Sequence, residues 1–166
     1  MKTTHEPSDE TRTRPNQQKC ILVAEDNGDD LLLLRLGFER AGLSHKLVHA
    51  WNGEVAWDYL AGEPPFSDRD QHPFPDLLLL DLKMPCLDGL GLLRLLQTHR
   101  ELSALPVVVL SSSALESDKH QANSLGAREF LTKPTGIKEY RDMVLGLHQR
   151  WLGHAMSYVP KAIKLM

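Results

Sequence analysis

Five short apolar stretches alternate along the chain with five stretches that carry helix start and stop residues. The apolar stretches occupy residues 20–24, 46–50, 76–81, 105–111 and 128–134. The helical stretches occupy residues 29–42, 52–62, 88–100, 116–127 and 137–151. Strict alternation is typical of a parallel sheet, because parallel neighbours need a crossover connection that a helix supplies. The sequence therefore predicts an α/β fold, a doubly wound five-stranded parallel sheet with helices on both faces.

One such domain accounts for residues 19–152. The first 18 residues are polar and charged without periodicity, which predicts a disordered leader. Residues 63–75 contain four prolines and form a connection longer than most, so we interpret them as an insertion before the third strand. Residues 153–166 follow the last helix as a C-terminal tail.

The composition excludes several classes of function. The 166 residues have a formal net charge of -3 with acids and bases interspersed, so no basic surface for nucleic acid or anionic membrane is expected. No apolar run approaches the roughly 20 residues of a membrane span, and the polar N-terminus lacks the apolar core of a signal peptide. Two cysteines, Cys20 and Cys86, do not make a disulfide framework. We therefore expect a cytoplasmic protein that contacts neither nucleic acid nor membrane.

A run of four leucines leads directly to Asp81 at the end of the third strand. The carboxyl ends of parallel strands meet at one edge of the sheet, where open α/β folds place their ligand sites. Other strands also end on polar residues, so this edge is expected to carry Glu25, Asp26, Asp81, Ser111 and Lys133. An acid near this edge can instead have a purely structural role. We interpret Asp88 as the cap of the third helix, and Asp29 and Asp30 as acids that the dipole favours at the start of the first helix.

Together, the side chains expected at this edge suit phosphoryl transfer. Three clustered carboxylates repel one another unless a cation relieves the charge, and hard oxygen ligands select Mg²⁺. A carboxylate can also act as a nucleophile and form an aspartyl phosphate. The ammonium and the hydroxyl would then interact with the transferred phosphoryl group.

Four segments of the chain resemble the receiver domain of two-component response regulators, which has a flavodoxin-like, CheY-like fold. They are VAEDN, LLLLDLKMPCLDG, VVVLSSS and FLTKP, and the resemblance extends over residues 19–150. It implies that Asp81 accepts a phosphoryl group from a sensor histidine kinase. It also implies a Mg²⁺ site formed by Asp26, Asp81 and the backbone carbonyl of Lys83, with Glu25 in support.

The same resemblance implies roles for the remaining strand ends. Ser111 would be the switch hydroxyl, Lys133 would pair with the phosphoryl group, and the Lys133–Pro134 bond would be cis. Three residues depart from common family choices. Glu25 replaces an aspartate and would reach the metal through water, while Ser111 replaces a threonine. Phe130 stands where the movable switch aromatic is often a tyrosine, so it cannot donate a hydrogen bond.

The chain also resembles a narrower group, the single-domain response regulators paired with bacterial and cyanobacterial phytochrome kinases. The proline-rich insertion, the LPVVVLSSS strand and the HQRWL ending of the last helix carry this resemblance. It implies a phytochrome-type histidine kinase as the partner.

The last helix has one apolar stripe, which predicts packing on the sheet. The stripe consists of Ile137, Tyr140, Val144, Leu147 and Trp151. Further apolar residues follow in the tail, and an exposed apolar surface marks a partner or dimer site. A homodimer through the last helix and the tail is therefore one expectation.

Other function classes fit the sequence less well. A phosphatase with an aspartate nucleophile usually needs a second acid two residues on, where this chain has Lys83. A dinucleotide-binding module needs a glycine-rich turn after the first strand, where this chain has EDNGDD. We therefore expect no enzyme beyond one that catalyses its own phosphorylation and dephosphorylation. The alternative left open is a pseudo-receiver that binds partners independently of phosphorylation.

Overall fold

A computed structural model of the protein describes residues 18–153. The strands are β1 Cys20–Ala24, β2 Lys46–Ala50, β3 Leu77–Leu80, β4 Val107–Ser111 and β5 Glu129–Thr132. The helices are α1 Gly28–Arg40, α2 Gly53–Ala61, α3 Gly89–Thr98, α4 Glu116–Ser124 and α5 Ile137–Leu147. A short 3-10 helix follows α3 at Arg100–Leu102, and a π-helical turn continues α5 at His148–Leu152. Apart from their boundary residues, the predicted leader and tail lie outside the described residues.

The five strands form one parallel sheet in the order β2-β1-β3-β4-β5. The predicted doubly wound α/β fold is therefore confirmed. The chain steps outward from β1 to β2, then crosses back to place β3 on the other side of β1. This reversal opens a crevice at the carboxyl ends of β1 and β3, which is where such folds bind ligands.

Helices cover both faces of the sheet, so the three central strands, β1, β3 and β4, are buried on both sides, whereas the edge strands β2 and β5 are partly exposed. One core lies under α1 and α5 and takes alternate strand residues such as Ile21 and Val23. The other lies under α2, α3 and α4 and takes Leu22 and Ala24 from the same strand. In the part of the chain that the structure describes, none of the helices combines the length and the apolar character that crossing a membrane requires.

The predicted apolar stripe of the last helix packs against α1 and the sheet. Tyr140, Val144 and Leu147 are buried in the same core as Leu34 of α1. The two helices approach closely at Gly37, where an added Cβ would lie 3.1 Å from the Cβ of Tyr140. The close contact fixes the position of α5 relative to α1.

The proline-rich connection packs against α2. Arg69 donates from Nη1 to the carbonyl of Tyr59 and from Nη2 to that of Leu60, both at 2.8 Å, and so satisfies carbonyls at the end of the helix. The Tyr59 hydroxyl donates to the carbonyl of Pro73 at 2.8 Å. The middle and the end of the connection are thereby tied to the C-terminal turn of α2.

The expectation of a cis bond at Lys133–Pro134 is wrong. Among residues 18–153 the only cis peptide bond is Pro64–Pro65. The trans form is the lower-energy isomer of an X–Pro bond.

Candidate functional site

Backbone hydrogen bonds place three charged residues one position beyond the ends of their strands. The N–H of Glu25 donates to the carbonyl of Ala50 at 3.0 Å, and that of Asp81 donates to Ala24 at 2.9 Å. The N–H of Lys133 donates to the carbonyl of Ser111 at 2.8 Å. Because each residue remains bonded to the neighbouring strand, its side chain leaves the sheet from a fixed position.

Lys133 contacts three carboxylates at this edge. Its Nζ lies 2.6 Å from Oε2 of Glu25, 2.9 Å from Oδ2 of Asp30 and 3.0 Å from Oδ2 of Asp81. The side chains of Lys133, Glu25 and Asp81 are only 7%, 7% and 6% exposed. Burial by itself lowers the pKa of Lys133, but hydrogen bonds to the three acids outweigh it and raise that pKa above its usual value. The ammonium is therefore held in its charged form.

Three acids at the crevice could hold a metal ion. One carboxylate oxygen each from Glu25, Asp26 and Asp81 lies within 4.8 Å of the others. Asp26 is exposed, whereas Glu25 and Asp81 are buried. Burial raises the pKa of Glu25, and its bonds to Lys133 and to the N–H of Asn27 oppose that rise. An all-oxygen donor set with one open side fits Mg²⁺, which keeps waters and phosphate oxygens among its ligands.

Glu25 is fixed at both of its oxygens. Oε2 faces Lys133, and Oε1 accepts the N–H of Asn27 at 3.0 Å. Asn27 in turn caps α1, with Oδ1 accepting the N–H groups of Asp29 at 2.9 Å and Asp30 at 3.1 Å. The start of α1 is thus connected to the acidic cluster by consecutive hydrogen bonds.

The loop after β3 packs tightly around Asp81. The N–H of Lys83 donates to Oδ1 of Asp81 at 3.3 Å, and Asp88 caps α3 through the N–H of Gly91 at 2.7 Å, as the sequence predicts. A Cβ on Gly89 would overlap the carbonyl oxygen of Asp81, so glycine is required there. Cys86 adopts a left-handed backbone with φ 65°, which a residue with a side chain rarely does.

Tyr140 of α5 lies beneath the cluster. A small cavity of about 10 Å³ is lined by Tyr140, Asp30 and Lys133 among others. Burial, followed by the negative charge of Asp30, raises the pKa of Tyr140 to about 12. The phenol therefore stays neutral at physiological pH.

Comparison with protein families identifies the family of the chain. Residues 21–145 match the model of the response regulator receiver domain. The chain belongs to the response regulator receiver family. The residues matched include β1 with its acidic pair, the loop after β3 and the lysine after β5. The predicted family is therefore confirmed.

The receiver has relatives among response regulators of phytochromes. It is 32% identical to Response regulator Rcp1 of Synechocystis sp. over 137 residues, which is 82% of this chain and 91% of Rcp1. The crystal structure of the Mn²⁺-bound form of Rcp1 gives a TM-score of 0.73 at 30% identity, covering 85% of this chain and 99% of Rcp1.

Two further solved structures are similar to this chain. The phosphorylated cyanobacterial phytochrome response regulator RcpA is 31% identical with a TM-score of 0.76, covering 84% of this chain and 98% of RcpA. RPA3017, a response regulator in red light signaling of R. palustris, is 37% identical with a TM-score of 0.78, covering 83% of this chain and 96% of RPA3017. Against Response regulator GtcR of Aneurinibacillus migulanus, the chain is 38% identical but spans only 42% of that protein's length.

Of the two predicted switch residues, Ser111 adjoins Lys133 through a backbone hydrogen bond, whereas Phe130 lies three residues before Lys133 on β5. Ser111 is the last residue of β4 and is fully buried, with Oγ accepting the N–H of Ser113 at 3.1 Å. Phe130 on β5 is partly buried and packs against the core under α2, α3 and α4. Their roles in switching remain predictions, as does the role of the Lys83 carbonyl in metal binding.

Asp30 is the site residue that the sequence analysis missed. Its interpretation as a helix-dipole acid is incomplete, because its carboxylate accepts a hydrogen bond from Lys133, whereas Asp29 is exposed. A signal was available in the helical period. Asp30 precedes the buried Leu34 by four residues and Phe38 by eight, so it lies on the face of α1 that packs on the sheet.

Proposed function

We propose that this receiver accepts a phosphoryl group on Asp81 from a sensor histidine kinase, in a reaction that depends on Mg²⁺. The observation that carries the proposal is the buried pair between Lys133 and Asp81, together with the position of Asp81 in a group of three acids whose oxygens lie within 4.8 Å of one another. A nucleophilic carboxylate, a fixed cation and a metal-binding donor set are the parts that phosphoryl transfer uses.

In the proposed reaction, an oxygen of Asp81 forms a bond to phosphorus while the bond from phosphorus to the histidine nitrogen of the kinase breaks. The imidazole leaves with the bonding electron pair. Lys133 donates to a phosphoryl oxygen and neutralises part of its charge. Asp26, Asp81 and the Lys83 carbonyl would hold Mg²⁺, with Glu25 reaching it through water. When bound, Mg²⁺ offsets the charge on the phosphoryl oxygens.

We further propose that the donor is a phytochrome-type kinase. Supporting this are the similarities to Rcp1, RcpA and RPA3017, the last two described as a phytochrome response regulator and a component of red light signaling. After phosphorylation, Ser111 would bond the phosphoryl group and Phe130 would change its packing. A dimer through α5 and the tail would be one way for the signal to leave the domain.

Intact-protein mass after incubation with Mg²⁺ and acetyl phosphate tests the acceptor. We expect an adduct of one phosphoryl group that is lost with EDTA and in Asp81→Asn. The matched control is Asp88→Asn in the same loop, which keeps a good helix cap and should still be labelled. A folded wild-type protein that takes no label would instead support a pseudo-receiver that acts by binding alone.

A second experiment tests the partner. A bacteriophytochrome histidine kinase, labelled on its histidine with radioactive phosphate, is mixed separately with the wild type, with Asp81→Asn and with an unrelated receiver. Transfer to the wild type that is faster than to an unrelated receiver supports the phytochrome pairing. Equal transfer to both receivers contradicts the pairing, yet leaves Asp81 as the acceptor.

A further inference from the structure

The ammonium of Lys133 already faces as many acceptors as it has protons. It carries three N–H groups, and three carboxylate oxygens lie within 3.0 Å of it, from Glu25, Asp30 and Asp81. The Lys133 side chain is 7% exposed, so almost no water reaches it. A phosphoryl group on Asp81 that needs a hydrogen bond from Lys133 must therefore displace one of these partners.

The three partners differ in how easily they can be displaced. Glu25 is buried, is held by the N–H of Asn27 and belongs to the acidic group that could hold a metal. Asp81 is the residue that receives the phosphoryl group. Asp30 is outside the metal-binding group, and its side chain is 30% exposed, so water can solvate its carboxylate after release.

We infer that Asp30 is a positioning residue that restrains Lys133 in the unphosphorylated protein and yields its hydrogen bond to the phosphoryl group. This inference rests on the proposed function. Asp30 thereby sets how readily Asp81 reacts, because the transition state gains the Lys133 bond only after Asp30 gives it up. The chemical step is unchanged: one oxygen–phosphorus bond forms at Asp81, the bond to the donor breaks, and the leaving group takes the electron pair.

The test compares Asp30→Asn with Asp29→Asn. Both substitutions remove one negative charge from the first turn of α1, but Asp29 is exposed and does not contact Lys133 in the structure. With acetyl phosphate at saturating Mg²⁺, we expect Asp30→Asn to be phosphorylated about tenfold faster than Asp29→Asn, since a charge-assisted hydrogen bond no longer competes.

Two further readouts separate this role from a purely structural one. Asp30→Glu keeps the carboxylate and should return the rate towards the wild-type value. Beryllofluoride, a phosphoryl mimic that coordinates the carboxylate without transfer from a phosphodonor, should bind more tightly to Asp30→Asn than to Asp29→Asn, as followed by NMR of amides at the site. Thermal melts confirm that each variant is folded.

The outcomes distinguish the inference from the function on which it rests. A wild-type protein that forms no adduct on Asp81 overturns both. An adduct on the wild type, with Asp30→Asn no faster than Asp29→Asn, overturns only the role of Asp30. A rate for Asp30→Glu as high as that of Asp30→Asn also overturns it, because the carboxylate would then not be the restraint.

Discussion

Replacing Lys133 with methionine tests whether the acidic edge depends on this one cation. Methionine keeps a long unbranched side chain but removes the charge, which leaves the carboxylates of Glu25 and Asp81 buried at 7% and 6% exposure without their counterion. Removing one partner of a buried ion pair costs about 3–5 kcal/mol. Asp30, at 30% exposure, adds little because water screens it.

We expect the free energy of unfolding to fall by about 3 kcal/mol near pH 7, at the lower end of that range. Burial already raises the pKa of Glu25, so this acid can escape part of the penalty by taking up a proton. The same reasoning gives the pH dependence. In the variant, Glu25 loses the Lys133 contact that opposes this rise, so it binds a proton more tightly than in the unfolded chain, and the deficit shrinks as the pH falls towards about 5.

Urea unfolding in EDTA, followed by circular dichroism at both pH values, measures the difference. Lys83→Met is the matched control, because Lys83 lies at the same edge but is exposed, and its loss should change stability by less than about 0.5 kcal/mol. Added Mg²⁺ should recover more stability in Lys133→Met than in the wild type, since it replaces the missing positive charge. A loss below about 1 kcal/mol, or one that is equal at both pH values, would refute the reasoning.

Three further predictions follow from single residues. Gly89→Ala should destabilise the fold by about 1–3 kcal/mol and slow phosphorylation, because the added Cβ overlaps the Asp81 carbonyl. Gly28→Ala should have neither effect, because no atom lies within 4 Å of its added Cβ. Urea unfolding measures the stability of each variant, and adduct mass measures its phosphorylation. Cys86→Gly should stabilise the protein by about 1 kcal/mol in the same unfolding assay by relieving the left-handed backbone, and an equal or lower stability contradicts this. Burial, followed by the charge of the neighbouring His148, lowers the pKa of His45. The contribution of His45 to stability is therefore present above its unfolded pKa of about 6.5 and is lost as the pH falls through its lower pKa in the folded protein. The free energy of unfolding of His45→Asn should thus depend less on pH over that interval than that of the wild type. Parallel pH profiles for the two proteins would contradict the lowered pKa of His45.

The strand ends could be predicted from the sequence because a parallel sheet leaves little freedom in where they lie. Once the alternation of strands and helices is recognised, Glu25, Asp81 and Lys133 must reach the same edge, and the structure places their charged groups in contact. The contact between Lys133 and Asp30 depends instead on the rotation of α1 about its axis. Packing against α5 at Gly37 sets that rotation, and the spacing of apolar residues in one sequence predicts the rotation only approximately.

The strand order also explains why a lysine and a glutamate suit this edge. β4 lies between β3 and β5, so Lys133 and Asp81 leave strands that are separated by two spacings of about 4.8 Å. The four-carbon stem of lysine lets its ammonium cover that separation. Glu25 leaves β1, one strand farther away, and its longer arm brings Oε2 to 2.6 Å from Nζ. Glutamate in place of the common aspartate therefore extends the reach of the acidic pair towards Lys133, so shortening it in Glu25→Asp would loosen the contact that holds the ammonium beside Asp81.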